Sequence, residues 1–310
     1  MATTPADLVP SEALDKVSKL RLVARTVVES FISGQHRSVY KGFSVEFAQH
    51  REYAKGDELR HLDWKVFAKS DRLFIKQYEE ETNLRSTLIV DCSGSMRYGD
   101  PSLTAPAGAL PPGVTLDKFT YARYCAAALA FLMIGQSDSV GLATLDTEVR
   151  NMIPAKSTTA HLSNLLKILA ATEPGGETSL ASLLQTLGGQ LKRRGLLIIL
   201  SDFFCNIDEL ITALGLFHHQ RHEVVLFQVL HPHEISFPFG EVAEFMSLEN
   251  VGHKIKLDAP RIRKHYLERF EKFQQRLREV CHRFRYDHVV LPTNQPFDEA
   301  LSQYLKRRMG

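Results

Sequence analysis

Asp91, Ser93 and Ser95 form a D-x-S-x-S pattern directly after a short apolar run at 87–90. Ligands of open α/β sheets bind at the carboxyl ends of the strands, and alternate residues of the turn after such a strand can direct their oxygens to one point. One carboxylate and two hydroxyls are hard oxygen ligands, which suit Mg²⁺ or Mn²⁺ better than a thiophilic metal. The pattern therefore predicts part of a divalent-cation site, although Asp and Ser also cap turns that bind no ion.

Two later segments carry further oxygen-bearing side chains. A Gly-Gly pair at 175–176 precedes Thr178, whose hydroxyl is available in a loop before a helix. A second apolar run, 196–200, leads into Ser201 and Asp202, which places a second aspartate at the end of a second strand.

This order of motifs resembles a von Willebrand factor A domain with a complete metal-ion-dependent adhesion site. The resemblance implies five metal ligands: Asp91, Ser93, Ser95, Thr178 and Asp202. It also implies one coordination position left open for water or for an Asp or Glu carboxylate of a protein partner. The fold implied is α/β and Rossmann-like, with a central, mostly parallel sheet and helices on both faces.

A second motif, Y-x-x-G-D-x-x-R-x-x-D-W-K, lies upstream, and it resembles the bacterial family called domain of unknown function 58. That family is known mainly as a companion of MoxR-type AAA+ ATPases, so the resemblance implies a non-enzymatic, Mg²⁺-dependent adaptor that acts in protein assembly or maturation. We expect the charged residues of the motif to form either a structural ion-pair network or a second functional site, with Trp64 as a buried anchor. The residues concerned are Arg51, Tyr53, Gly56, Asp57, Arg60, Asp63, Trp64 and Lys65.

Hydrophobic patterning predicts the elements that must position these residues. Continuous apolar strands separated by amphipathic helices indicate a parallel sheet covered on both faces. We predict strands at 87–90, 139–145, 196–200, 224–230 and 288–291, and helices at 12–33, 117–134, 158–171, 178–191, 261–285 and 297–308. An N-terminal helix with the signature segment, 1–85, would precede an A-like domain, 86–310. The Pro- and Gly-rich stretch 97–116 is either a lid or partner contact beside the metal site, or a neutral insertion.

Composition narrows the class of protein. The chain has 310 residues, 44% of them apolar and 24% charged, with a net charge of +2. This balance is ordinary for a globular protein and does not indicate nucleic-acid binding. No apolar run is long enough to span a membrane, the N-terminus lacks the pattern of a signal peptide, and the four cysteines form no C-x-x-C pair. From these features we expect a cytoplasmic protein without disulfides.

Two other interpretations of the site stay open. A metal-dependent hydrolase, such as a phosphoesterase, could use Asp91 and Asp202 to place ions, but the sequence shows no evident general base. The site could also be structural and hold no ion. Cys92 lacks a base that would make it a nucleophile, and phosphate-binding glycine loops are absent, so no nucleotide is expected. Five histidines fit no zinc-ligand spacing: His218, His219, His222, His231 and His233.

Overall fold

The computed structural model describes residues 11–34, 49–52, 64, 66–67, 72–77, 84–99, 117–176, 179–240, 242–248, 252 and 254–295. The chain divides into two compact units. One comprises Met1–Gly34 with Leu84–Gly310, and the other is Gln35–Asn83. The smaller unit contains an antiparallel pair of short strands, β1 (Gln49–Glu52) and β2 (Phe74–Gln77).

A six-stranded sheet forms the centre of the larger unit. Its strands are β3 (Arg85–Asp91), β4 (Ser139–Leu145), β5 (Val149–Lys156), β6 (Leu196–Ser201), β7 (Glu223–Leu230) and β10 (Asp287–Pro292). The spatial order is β10-β7-β6-β3-β4-β5, and only the edge strand β5 runs antiparallel to its neighbour. The prediction of a mixed α/β fold with a mostly parallel central sheet is therefore confirmed.

Helices cover both faces of this sheet. They are α1 (Ser11–Gly34), α2 (Lys118–Gly135), α3 (Thr159–Ala171), α4 (Leu180–Gln190), α5 (Ile207–His219), α6 (Pro232–Ser236) and α7 (Ala259–Phe284). A hairpin of β8 (Val242–Met246) and β9 (Lys254–Asp258) precedes α7, and a short 3-10 turn spans Gly94–Arg97.

Two buried apolar clusters hold the layers together. Leu88 and Val90 of β3 face a cluster that includes residues of α1, α2 and α3, whereas Ile89 faces residues of α4, α5 and α7. This alternation follows from the two-residue period of a strand, which sends successive side chains to opposite faces. Burial on both faces explains why β3, β6 and β7 appear as continuous apolar runs in the sequence.

The predicted elements agree with the structure within about two residues wherever both exist, whereas α5, α6, β1, β5 and the β8–β9 hairpin were not predicted. The helix predicted at 297–308 lies outside the described residues. Helix α1 belongs to the larger unit and contacts α2 and α3, so the observed division differs from the expected boundary at residue 85. No helix in the described part of the chain is long and apolar enough to cross a membrane.

Candidate metal centre

The two aspartates meet because their strands are neighbours. Asp91 is the last residue of β3, and Asp202 follows the last residue of β6. These strands pair in parallel, so both end at the same edge of the sheet. Each aspartate is only 2% exposed.

The serines of the D-x-S-x-S turn connect the two strand ends. The hydroxyl oxygens of Ser93 and Ser95 lie 3.0 Å apart, and the Ser95 hydroxyl donates to Oδ2 of Asp202 at 2.9 Å. The structure therefore brings four of the five predicted ligands together: Asp91, Ser93, Ser95 and Asp202.

Asp91 is held by two hydrogen bonds. Its Oδ1 accepts the backbone N–H of Ser93 at 2.9 Å, and its Oδ2 accepts the hydroxyl of Ser201 at 2.6 Å. Burial, followed by the charge of nearby Asp202, raises the pKa of Asp91 to about 6 despite these hydrogen bonds. The charge of Asp202 disfavours ionisation of Asp91, so an added cation would stabilise the ionised Asp91 carboxylate.

The Gly-Gly loop adjoins the first turn through backbone hydrogen bonds. The N–H of Gly175 donates to the carbonyl of Cys92 at 2.8 Å, and the N–H of Gly94 donates to the carbonyl of Gly176 at 2.9 Å. Gly176 has φ of +81°, a conformation that glycine adopts without strain. Thr178, the fifth predicted ligand, lies outside the described residues.

Lys118 and Glu234 also belong to this site, although neither was predicted from the sequence. The Lys118 ammonium donates to Oδ2 of Asp202 at 2.7 Å and to Oε1 of Glu234 at 2.5 Å. Burial alone would lower the pKa of Lys118, but the charges of Asp202 and Glu234 outweigh it and raise that pKa, so the side chain is an ammonium. The available signal was a lysine at the start of α2, a helix whose residues are otherwise almost all buried.

The donor set fits a hard divalent cation. Two carboxylates and two hydroxyls supply oxygen ligands only, the preference of Mg²⁺. Among Asp91, Asp202, Glu234 and Lys118, three carboxylates face one ammonium, which leaves negative charge for a cation to neutralise. In the described part of the chain no three His, Cys, Asp or Glu side chains cluster as metal ligands. Ion binding here would therefore depend on the serine hydroxyls.

The surroundings of Cys92 do not favour a nucleophile, and the five histidines considered as zinc ligands do not lie together. Cys92 is fully buried, and burial together with the charge of Asp91 raises the pKa of its thiol, which disfavours the thiolate a nucleophile requires. The histidines form no single cluster. His218, His219 and His222 line a cleft before β7, whereas His231 and His233 follow β7.

The upstream signature is described only in part. Trp64 is 63% exposed and its ring contacts Phe67 edge-on, so the prediction of a buried anchor is wrong. Arg51 lies on β1. The other signature residues lie outside the described part of the chain: Tyr53, Gly56, Asp57, Arg60, Asp63 and Lys65.

Comparison with known proteins identifies the family. The family described as protein of unknown function DUF58 matches residues 49–276, which is more than half of the chain. The chain belongs to the DUF58 family. Among curated proteins, this DUF58 chain is similar to the uncharacterized protein Rv1480 of Mycobacterium tuberculosis, with 26% identity over 169 residues. The match covers 53% of this chain and 48% of Rv1480, so the chain spans about half the length of the curated relatives it matches.

Solved structures show more distant similarity. BatB of Bacteroides thetaiotaomicron matches 72% of this chain and 98% of its own, at 13% identity and a TM-score of 0.47. An aerotolerance-related membrane protein of Bacteroides fragilis matches 72% and 99%, at 12% identity and a TM-score of 0.43. A membrane spanning protein of Vibrio fischeri matches 72% and 95%, at 14% identity and a TM-score of 0.25.

These comparisons correct the expected location. The expectation of a cytoplasmic protein does not stand: two of the three matched structures are described as membrane proteins, a description that belongs to those proteins. That prediction rested on features of this chain alone, namely its N-terminus, its apolar runs and its cysteines.

Proposed function

We propose that the larger unit is a von Willebrand factor A-like domain with a metal-ion-dependent adhesion-type site, and that the protein acts as a non-enzymatic, Mg²⁺-dependent adaptor. The observation that carries the proposal is the convergence of two strand-end carboxylates and two serine hydroxyls, joined by the 2.9 Å hydrogen bond from Ser95 to Asp202. Oxygen ligands from separate loops at one sheet edge suit a cation site that a partner can reach.

In this proposal Asp91, Ser93 and Ser95 hold the ion from the first turn, while Asp202 and Thr178 complete the shell directly or through water. A bound Mg²⁺ would supply one open position for an Asp or Glu carboxylate of the partner. The protein contributes rigidity to the site. Ser201 holds Asp91, and the N–H of Phe204 donates to Oδ1 of Asp202 at 3.0 Å, so neither carboxylate has to be ordered when a partner binds.

An apolar cleft beside the site supports a role in binding. The cleft has a volume of about 320 Å³, and its lining includes Phe204 and Glu234. Phe204 is 44% exposed although it lies two residues from Asp202. Exposed aromatic side chains are enriched in protein interfaces, where they contribute much of the binding energy.

The partner we propose is an AAA+ ATPase of the MoxR type, with the pair acting in assembly or maturation of other proteins. This choice rests on membership of the DUF58 family. The chain itself has no phosphate-binding glycine motif, so ATP hydrolysis would occur on the partner.

The test is affinity capture from native cells with the full chain as bait, in Mg²⁺, in chelator, and with Asp91→Ala in Mg²⁺. Asp208→Ala, which removes an exposed aspartate of α5, is the matched control. The proposal predicts an AAA+ ATPase that is retained only in Mg²⁺ by the wild type and the control. Equal retention under all conditions contradicts a metal-dependent surface. Turnover of a generic phosphoester that Asp91→Ala abolishes would instead establish a hydrolase.

A further inference from the structure

A buried lysine contacts one of the proposed metal ligands, Asp202. The side chain of Lys118 is 1% exposed, and its ammonium lies 2.7 Å from Oδ2 of Asp202. We propose that this ammonium pairs with Asp202 in the metal-free protein. It therefore competes with the divalent ion for the Asp202 carboxylate. The inference rests on the proposed metal site but does not depend on any partner.

The contact is made at the oxygen that faces the ligand set. Oδ2 of Asp202 accepts both the Lys118 ammonium and the Ser95 hydroxyl, whereas Oδ1 accepts the backbone N–H of Phe204. An ion that approaches Asp202 from the side of Ser95 therefore meets the oxygen that the lysine already occupies. Two cations at one carboxylate oxygen repel each other, so each weakens the binding of the other.

Lys118 has a second anion close by. Oε1 of Glu234 lies 2.5 Å from the ammonium, and the Glu234 side chain is 14% exposed. The aromatic rings of Phe204 and Tyr98 lie 5.0 Å and 6.0 Å from the ammonium and enclose it further. When an ion binds Asp202, the lysine can therefore lose that contact and stay buried beside Glu234. Its side chain needs neither to become exposed to solvent nor to lose its proton.

A purely structural ion pair makes a different prediction. If Lys118 only orients Asp202, its loss leaves the metal ligand misplaced and weakens ion binding. If it competes, its loss removes a positive charge from the site and strengthens ion binding. The two roles therefore differ in the sign of one measured change.

The experiment is calorimetric titration of the full chelator-treated chain with Mg²⁺ alone. We compare the wild type, Lys118→Met, and Lys167→Met, which removes an exposed lysine of α3. Competition predicts that Lys118→Met binds Mg²⁺ about tenfold or more tightly than the wild type, because a like charge within a few Å has gone. It also predicts a lower Tm than the wild type in chelator and a larger rise in Tm with Mg²⁺. Lys167→Met should match the wild type in both measurements.

Unchanged or weaker Mg²⁺ binding by Lys118→Met overturns the inference, while the adaptor proposal survives if the wild type binds. Binding by the variant but not by the wild type supports competition. Binding by neither refutes both the inference and the metal site.

If Lys118→Met does not fold in chelator, the side-chain NH₃⁺ signals of ¹⁵N-lysine-labelled wild type decide the matter. The Lys118 signal, assigned with Lys118→Arg, should shift on addition of Mg²⁺, and an unmoved signal contradicts exchange of cations at Asp202.

Discussion

At the level of single residues, the ionised carboxylate of Asp91 destabilises the folded protein when no metal is bound. Its pKa of about 6 in the folded protein lies above its ordinary value of 3.8. The folded state therefore holds its proton more tightly than the unfolded state, and the free energy of unfolding falls as pH rises from about 4 to about 6. Without metal, the ionised carboxylate therefore lowers the free energy of unfolding at neutral pH.

Asp91→Asn removes that charge and should stabilise the chelated protein at pH 7 by about 1 to 3 kcal/mol. Urea denaturation of both proteins across pH 4–7 checks this. The gain should be small near pH 4 and reach its full size above pH 6. A variant less stable than the wild type at pH 7 would show that the hydrogen bonds of Asp91 outweigh its charge penalty.

Spacing could predict Asp91, Ser93, Ser95 and Asp202, since each lies within four residues of the end of an apolar strand. Lys118 and Glu234 could not be predicted in this way. Lys118 follows the Pro- and Gly-rich stretch 97–116, and its pairing with both Asp202 and Glu234 depends on where the first turn of α2 lies against the ends of β6 and β7. Such a contact depends on how helices and strands pack in three dimensions, which residue spacing along the chain does not show.

At the scale of elements, the β4–β5 pair depends on a glycine. A Cβ added at Gly141 of β4 would lie 2.8 Å from the carbonyl oxygen of Ile153, where the register of the two strands shifts. Gly141→Ala should therefore destabilise the protein by about 1 to 3 kcal/mol. Gly189→Ala in α4 is the control, since it meets no atom within 4 Å and should be neutral or stabilising by up to about 1 kcal/mol. Equal losses in urea denaturation would contradict this account.

The same strand pair shows why some elements were missed. The buried strand β6 is apolar from Leu196 to Leu200, so the sequence pattern predicts it directly. Strand β5 alternates half-buried and exposed residues and contains Pro154. An edge strand tolerates a proline, but a proline in the sequence argues against predicting a strand. The β8–β9 hairpin is also largely exposed and lacks a continuous apolar run.

At the scale of the whole molecule, α1 is part of the fold of the larger unit. Val23 and Ala24 are buried in the same cluster as residues of α2 and α3, whereas neighbouring Leu22 is 63% exposed. Val23→Ala should cost about 1 to 3 kcal/mol of unfolding free energy, and Leu22→Ala less than about 0.5 kcal/mol. Thermal denaturation monitored in the near-ultraviolet would detect the difference. Equal behaviour of the two variants would mean that α1 does not pack on this unit.

The helical period of the apolar residues predicted that α1 is a helix. It did not predict which elements α1 packs against. An amphipathic helix reveals that it has an apolar face and does not reveal which surface covers that face. More than 80 residues separate α1 from the start of α2, so the grouping of 1–34 with 84–310 arises from long-range packing.

We propose that Asp91, Ser93, Ser95 and Asp202 bind a divalent cation. The most direct measurement is electron paramagnetic resonance of Mn²⁺ titrated into chelator-treated wild type and into Asp91→Asn, with Mg²⁺ as competitor. If the four residues bind the ion, the wild type has one Mn²⁺ site, Mg²⁺ displaces the Mn²⁺, and the variant loses at least about tenfold in affinity. Wild-type protein that leaves Mn²⁺ free at millimolar concentration, or a variant that binds as tightly as the wild type, would contradict it.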